Sequence, residues 1–193
     1  GITTTIFKKY ITALVQHKVM LCISDFNKFW DVCDNDPKNI CWSIKKDGTR
    51  VWAVVEKESV RYLSRNGKEY KNFSKFDEKL KGMAKILFDQ EPLKYPIIFD
   101  GEMVSAGSVR DFDNLMGQVR RETNIDDSKF EYAIFDLVND EIPFKERYDI
   151  LCATAMDYYK KNNELNDIKI LPHYFYENHN FSSKEHFYEL LSK

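Results

Sequence analysis

The 193-residue sequence has little net charge, few cysteines and no apolar run long enough to cross a membrane. Its four cysteines form no CxxC pair, and no histidine stands at a zinc-ligand spacing from them. Reduced structural thiols are therefore expected, and these are typical of the cytosol. Residues 1–5 lead into charged residues and do not resemble a signal peptide. We expect a soluble intracellular protein that does not bind membranes. The cysteines are Cys22, Cys33, Cys41 and Cys152.

The sequence also lacks internal repeats, low-complexity tracts and linkers rich in proline, glycine or serine. Its length suits one domain with a sizeable core, and 43% apolar and 31% charged residues indicate an ordinary globular protein. A net charge of −2 is low for a nucleic-acid-binding protein, so a basic face would have to come from clustering. The clustered basic residues are Lys45, Lys46, Arg50, Arg61, Arg65, Lys68, Lys71, Arg110, Arg120 and Arg121.

Hydrophobic periodicity and turn signals predict a mixed α+β fold, mainly antiparallel, with helices between the strands. The predicted strands span residues 40–46, 50–56, 60–64, 97–104, 130–138 and 168–171. The predicted helices span residues 24–34, 74–88, 110–122, 144–162 and 182–193. Because Asp47-Gly48 is a strong hairpin signal, we expect the first two strands to pair. Asn66-Gly67 predicts another turn, and Ser74 with Asp77 predicts a capping box at the second helix.

Lys45 opens the first of four segments that carry residues suited to nucleotide chemistry. Residues 45–50 read Lys-Lys-Asp-Gly-Thr-Arg. A lysine is a weak nucleophile at neutral pH until its pKa is lowered, and the cationic neighbours Lys46 and Arg50 favour that change. The glycine would let a phosphate approach the backbone closely. Taken alone, the segment also fits an ordinary hairpin with a solvated lysine.

The other three segments offer groups that could hold a nucleotide. Arg65, in a Ser-Arg-Asn-Gly turn, presents a fork of donors suited to phosphate or ribose oxygens. Gly101 stands between two carboxylates, where it predicts a kink or bulge that aims one of them. Glu102 could then accept hydrogen bonds from a ribose or hold a divalent cation. Phe135, in an apolar strand, could stack on a purine. Separately, each of these residues also fits a common surface or core position.

In this order the four segments resemble the nucleotidyltransferase domain of ATP-dependent DNA ligases, within the superfamily that includes RNA ligases and mRNA capping enzymes. Residues 45–50 match the KxDGxR signature, 64–67 the SRxG element, 99–104 the DGE strand and 132–137 the strand with the stacking aromatic. Residues 19–21 and 145–149 resemble flanking elements, and residues 114–121 resemble phage-type ligases. The resemblance spans residues 16–193 and implies the ligase and capping-enzyme fold, which is ATP-grasp-like.

The resemblance implies an enzyme that uses ATP and Mg²⁺ and acts on nicked double-stranded DNA. Lys45 would attack the ATP α-phosphate to form lysyl-AMP, and the AMP would then activate the 5′-phosphate for attack by the 3′-hydroxyl. Arg50 and Arg65 would bind ribose and phosphate, Glu102 the ribose or a metal, and Phe135 would stack on adenine. Such an enzyme is expected to be a monomer acting in DNA replication, repair and recombination. It would work in the cytoplasm, including that of a host cell, or in a eukaryotic nucleus.

The sequence departs from the family pattern in two ways, at a residue expected to contact the base and in the later motifs. The family often has an acid or amide two residues before the nucleophile, where this sequence has Ser43. Nucleotide contacts at Ser43 and at Ile44, an ordinary strand residue, would then come from the backbone, or base selectivity would be looser.

The later metal-binding glutamate, the Lys-x-Lys strand and the OB-fold of the family have no counterpart before Lys193, and the last helix has no C-cap glycine. We therefore expect residues 1–193 to be the N-terminal part of an adenylation domain without its OB-fold. The chain alone is expected to be weakly active or inactive.

Two alternatives remain open on the sequence alone. KxDGxR and DGE also fit a GTP-using mRNA capping guanylyltransferase, although the Ser-Arg-Asn-Gly and Met-Leu elements favour a ligase. The absent motifs also fit a catalytically incomplete module that binds a nucleotide without forming a covalent bond.

Overall fold

The computed structural model describes residues 41–90, 93–106, 117–119, 121 and 126–175. Within these, the larger of two compact units comprises the described residues of 46–171, and the smaller comprises 41–45 and 172–175. The strands are β1 (Cys41–Ser43), β2 (Thr49–Val55), β3 (Val60–Ser64), β4 (Glu69–Tyr70), β5 (Ile97–Ser105), β6 (Phe130–Leu137), β7 (Ile168–Ile170) and β8 (His173–Phe175). The helices are α1 (Asp77–Asp89) and α2 (Phe144–Asn162), with 3₁₀ turns at Ser74–Phe76 and Asp127–Lys129.

The larger unit is built on a six-stranded sheet in the order β4-β3-β2-β5-β6-β7. All neighbours are antiparallel except β6 and β7, which run parallel and are connected through α2. Parallel neighbours need such a crossover, since a tight turn can only reverse the chain. The predicted α+β class with mainly antiparallel strands is confirmed. β4 and β8, which have two and three residues, were not predicted. Strands this short carry little periodicity.

The hydrophobic core lies between one face of this sheet and the two helices. Alternate residues of β2, namely Val51, Ala53 and Val55, belong to it, as period-two side-chain alternation requires. The predicted apolar stripe of α1 (Phe76, Leu80, Met83 and Leu87) is fully buried in the same cluster. α2 has the predicted bounds, begins after Pro143 and is capped by Asn163, whose φ of 52° is left-handed.

The predicted hairpin at Asp47-Gly48 is wrong. β1 pairs with β8 in the smaller unit, whereas β2 lies between β3 and β5 in the larger one. Gly48 instead allows a close approach of two backbones. A Cβ at this position would overlap the Met103 carbonyl oxygen and lie 2.9 Å from Cγ of Glu102. The glycine is thus explained by packing against β5.

Two other local predictions have different outcomes. The turn at Asn66-Gly67 is confirmed, since Gly67 has a φ of 79° and its N–H donates to the Ser64 carbonyl at 2.8 Å. The capping box is not formed, because neither the 3₁₀ turn nor α1 begins with a side-chain cap bond. The Asp77 carboxylate instead accepts a 2.7 Å hydrogen bond from the Tyr62 hydroxyl.

Several predictions concern residues that the structure does not describe. The helices predicted at 24–34 and 182–193 lie outside the described residues, as do Cys22 and Cys33. Of the helix predicted at 110–122, residues 117–119 and 121 are described; residues 117–119 are helical and residue 121 is not. Cys41 and Cys152 are free and half-buried, and burial raises the pKa of Cys41 to about 12. In the part of the chain that the structure describes, neither helix combines the length and the apolar character needed to cross a membrane.

Two methionines provide a matched test of the core. Met83 is fully buried, whereas Met156 is 60% exposed on α2. Met83→Ala is expected to lower the free energy of unfolding by about 2–5 kcal/mol, because it removes buried apolar volume and leaves a cavity. Met156→Ala should change it by less than about 0.5 kcal/mol. Urea denaturation followed by circular dichroism would measure both, and equal losses would contradict the assignment of the core.

Candidate active site

The face of the six-stranded sheet opposite the helices carries a group of charged side chains on its three central strands. Strand alternation places Arg50 of β2 on this face, since Val51 points into the core. On β5 the same alternation places Asp100 and Glu102 there. The register sets Arg50 directly across from Glu102, with Asp100 one diagonal step away. Three residues of the KxDGxR and DGE segments therefore share one surface.

Arg50 and Asp100 form a bidentate ion pair. Arg50 Nε donates to Oδ1 of Asp100 at 2.9 Å, and Nη2 donates to Oδ2 at 2.6 Å. The two side chains are only 16% and 4% exposed. Burial raises the pKa of Asp100, and the hydrogen bond and charge of Arg50 oppose that rise. The pair fixes the plane of the guanidinium, because two parallel hydrogen bonds define an orientation that a single bond leaves open.

Phe135 enters the site at a β-bulge in β6. Asp100 pairs with Asp136, and the next residue of β5, Gly101, pairs with Ile134. Phe135 is therefore the extra residue of β6, without a partner across the ladder, and a bulge of this kind re-aims a side chain. Its half-buried ring lies under the guanidinium of Arg50, with Cζ 5.2 Å from the ring centroid. This is cation–π distance.

The bulge predicted at Gly101 occurs, but its extra residue is on the neighbouring strand. The glycine itself makes room for a core tyrosine. A Cβ on Gly101 would lie 2.6 Å from the Ala133 carbonyl oxygen and 2.7 Å from Cε2 of Tyr132. The hydroxyl of Tyr132 lies 2.8 Å from the Val51 carbonyl oxygen and 2.9 Å from that of Phe99, so its one proton is shared between two strands. Tyr132 thus ties β2 to β5 below the ion pair.

A second bidentate ion pair, between Asp136 and Arg147, was not predicted from the sequence. Arg147 Nε donates to Oδ1 at 2.8 Å and Nη2 to Oδ2 at 2.7 Å, with side-chain exposures of 15% for Arg147 and 7% for Asp136. Asp136 lies directly across from Asp100. The sequence did carry one signal for this pair, because each of two apolar strands contains an aspartate. A buried carboxylate requires a cationic partner.

Arg65 lies in the exposed turn after β3. Ser64 pairs with Val51, so this turn begins at the end of the sheet where Arg50 stands. The Ser64 hydroxyl accepts a 2.9 Å hydrogen bond from the backbone N–H of Lys68, which closes the turn. The turn was predicted correctly, whereas a nucleotide contact by Arg65 stays a prediction.

Ser43, Ile44 and Lys45 belong to the smaller unit. Ser43 is the last residue of β1 and pairs with His173 of β8. The strand predicted to reach residue 46 ends here, so the description of Ile44 as a strand residue is wrong. Ile44 is 60% exposed and Lys45 is also exposed. An exposed lysine outside regular structure is accessible to a reagent or a substrate.

The residues that could bind a metal are few. Among the described residues, no group of three or more histidine, cysteine, aspartate or glutamate side chains could hold a metal ion. Asp100 and Asp136 are already paired with arginines. Glu102 could still act as one ligand for Mg²⁺, because this ion usually retains waters and binds one or two carboxylates together with substrate phosphates.

Replacing Gly101 should disturb the packing of β5 against Tyr132, beneath the Arg50–Asp100 ion pair. Gly101→Ala is expected to lower the free energy of unfolding by about 1–3 kcal/mol, because the methyl group meets the backbone of β6 and the ring of Tyr132. Gly117→Ala is the control, since a Cβ there has nothing within 4 Å. Urea unfolding of both variants would measure the difference. A neutral Gly101→Ala would contradict the close packing of β5 against Tyr132.

Comparison with known proteins gives one family match and several similar solved structures. The family described as ATP dependent DNA ligase domain matches residues 19–188. The solved structure of Pmar-Lig_Pre is 26% identical, with a TM-score of 0.52, over 77% of this chain and 34% of that chain. The ATP-dependent DNA ligase from bacteriophage T7, solved in complex with ATP, is 16% identical, with a TM-score of 0.56, over 89% of this chain and 57% of that chain.

The solved proteins are distant in sequence and longer than this chain. At 16% identity, the similarity to the phage T7 protein concerns the fold alone. This chain spans less than two thirds of the length of either solved protein. No curated protein sequence matches it significantly.

Proposed function

The chain belongs to the ATP-dependent DNA ligase domain family, and we propose that it catalyses the nucleotidyl-transfer chemistry of a DNA ligase, beginning with a covalent lysyl-AMP. Nζ of Lys45, after losing a proton, attacks the α-phosphorus of ATP. A P–N bond forms and the P–O bond to pyrophosphate breaks. AMP then passes to the 5′-phosphate of a nick, and the 3′-hydroxyl displaces AMP as the phosphodiester forms.

The observation that carries this proposal is the arrangement of Arg50, Glu102 and Phe135 on one face of the sheet. The ring of Phe135 and the guanidinium above it offer a flat, partly apolar contact for adenine, since stacking is available to any base. Arg50 covers part of the ring, so the base would stack on the remaining exposed part. Glu102, directly across from Arg50, would accept hydrogen bonds from the ribose hydroxyls.

Exposed residues and Glu102 would supply the remaining contacts to the phosphates, the base and the metal. Arg65, in the turn at the same end of the sheet, would bind ribose or phosphate oxygens. The backbone groups of Ser43 and Ile44 would contact the base. Mg²⁺ would enter with the nucleotide phosphates, with Glu102 as a protein ligand, and would offset negative charge in the transition state. In this type of reaction, positioning and electrostatics supply most of the rate.

Nicked double-stranded DNA is the proposed partner, and a monomer the proposed functional form. Replication, repair and recombination are the processes that such sealing would serve. ATP and genomic DNA are intracellular substrates, so the proposed compartment is the cytoplasm, that of a host cell, or a nucleus. The match to an ATP-dependent DNA ligase family favours this function over an mRNA capping guanylyltransferase.

Covalent labelling tests the nucleophile. Incubation of the 193-residue chain with α-labelled ATP and Mg²⁺ is expected to give a weakly labelled band on a denaturing gel, since the later motifs of the family are absent from it. Lys45→Ala should abolish the label, and Lys57→Ala, which replaces an exposed lysine beyond the opposite end of β2, should retain it. The bond should be acid-labile and alkali-stable, as expected for a phosphoramidate.

Three outcomes would contradict the proposal. Label in Lys45→Ala equal to that of the unaltered chain would exclude Lys45 as the nucleophile. Labelling by GTP but not by ATP would favour the capping reaction. Binding of ATP without any label, even at high concentration, would make this chain a nucleotide-binding module.

A further inference from the structure

The bulge in β6 is the position where the pairing of β5 with β6 shifts by one residue. Phe135 is the extra residue between two paired positions, Ile134 with Gly101 and Asp136 with Asp100. Removing the bulge by a slip of one residue would turn Phe135 or its neighbours to the opposite face of the sheet, because side chains alternate along a strand. An interaction on the far side of the bulge must therefore hold the strand in register.

Asp136, the first paired residue after the bulge, makes that interaction. Its carboxylate accepts both hydrogen bonds from the fork of Arg147, at 2.8 and 2.7 Å, and is almost fully buried. If β6 slipped by one residue, Asp136 would leave this geometry and lose its counter-charge in a site of low exposure. Removing one partner from a buried ion pair is strongly unfavourable, so the pair opposes the slip.

Arg147 is itself held by the loop before α2 and by the first turn of that helix. Its Nη1 donates to the carbonyl oxygens of Asn139 at 3.1 Å and Ile142 at 2.5 Å. Its guanidinium also lies over the Phe144 ring, 5.6 Å from the centroid. The hydrogen bonds that Arg147 donates to the Asp136 carboxylate raise the pKa of Arg147. One arginine thereby connects β6, the loop and a helix anchored in the core by Leu151.

The two ion pairs also meet across the strands. Asp100 and Asp136 are direct neighbours, and like charges placed opposite each other repel. Arg50 compensates one of them and Arg147 the other. Loss of Arg147 would leave Asp136 to compete for Arg50, which lies over the ring of Phe135. Arg147 thus affects both Phe135 and Arg50, the two side chains on which the base would stack.

We propose that Arg147 is a positioning residue for nucleotide binding, acting through Asp136 to hold the bulge that aims Phe135. This inference rests on the proposed function, because it assigns Phe135 to the base. Arg147 is expected to affect affinity for ligands that carry a base and to leave affinity for a bare phosphate chain unchanged.

Binding measurements with two ligands test the inference. The first is the α,β-methylene analogue of ATP, which cannot lose pyrophosphate, and the second is inorganic tripolyphosphate, which has no base. Arg147→Lys keeps the charge but loses the planar fork, and Phe135→Leu removes the ring. Each is expected to raise the Kd of the nucleotide analogue about tenfold, in line with the loss of one stacked base. Neither should change the Kd of tripolyphosphate.

The double variant separates positioning from a general structural effect. If Arg147 acts through Phe135, then Arg147→Lys with Phe135→Leu should bind the analogue no more weakly than Phe135→Leu alone. Lys145→Gln is the control, since Lys145 lies on the same helical turn in an exposed ion pair with Asp149. It should bind both ligands like the unaltered chain. Asp136→Asn, which weakens the same pair from its other side, should reproduce Arg147→Lys.

The outcomes distinguish this inference from the proposed function. An unaltered Kd in Arg147→Lys, an additive loss of about 100-fold in the double variant, or equal losses for both ligands would overturn the positioning role alone. Failure of the unaltered chain to bind the nucleotide analogue would overturn the proposed function and this inference with it. Circular dichroism of each variant would confirm that it is folded before binding is measured.

Discussion

Two buried carboxylates that face each other across β5 and β6 constrain the charged side chains on the sheet face opposite the helices. Asp100 and Asp136 are paired residues, almost fully buried, and would repel if left uncompensated. Each therefore has a bidentate arginine, and the arginines come from opposite sides, Arg50 from β2 and Arg147 from α2. Breaking a buried pair of this kind by removing one partner costs about 3–5 kcal/mol. This charge requirement fixes the positions of the two arginines.

The apolar side of the sheet supports the same arrangement. Tyr132 passes under Gly101, and its hydroxyl lies within hydrogen-bonding distance of carbonyl groups on both β2 and β5. The two strands that carry Arg50 and Asp100 are thereby connected directly below the ion pair. Because buried backbone carbonyls need partners, the tyrosine hydroxyl contributes to the sheet as well as to the core. Gly101 of the DGE segment is thus explained by Tyr132, the third residue of β6, because a side chain at position 101 would meet the tyrosine ring.

The sequence predicted those features that depend on local pattern. The bounds of α2 follow from a long periodic segment after Pro143, and the turn at Gly67 follows from a residue that tolerates positive φ. The partner of β1 was wrong, since Cys41 pairs with Phe175, and no local signal encodes a contact over that separation. Arg50, Glu102 and Phe135 were selected by motif, but the pairing of Arg50 with Asp100 depends on register, and the place of Phe135 depends on which strand carries the extra residue of the bulge. Composition and spacing specify neither.

The charge balance of the two ion pairs limits what Arg50 could contribute to the proposed nucleotide binding. Two arginines and two aspartates sum to zero, so this group adds no net positive charge that would attract a triphosphate. Its contribution is geometric, because the bidentate bonds hold the guanidinium flat over Phe135. In the proposed function, attraction of the phosphates would then come from cations without such a buried partner, such as the exposed Lys45, Lys46 and Arg65. Exposed charges act through a high dielectric and are screened by salt. In the proposed function, orientation of the base would therefore fall to the side chains of the sheet, and capture of the phosphates to exposed cations and Mg²⁺.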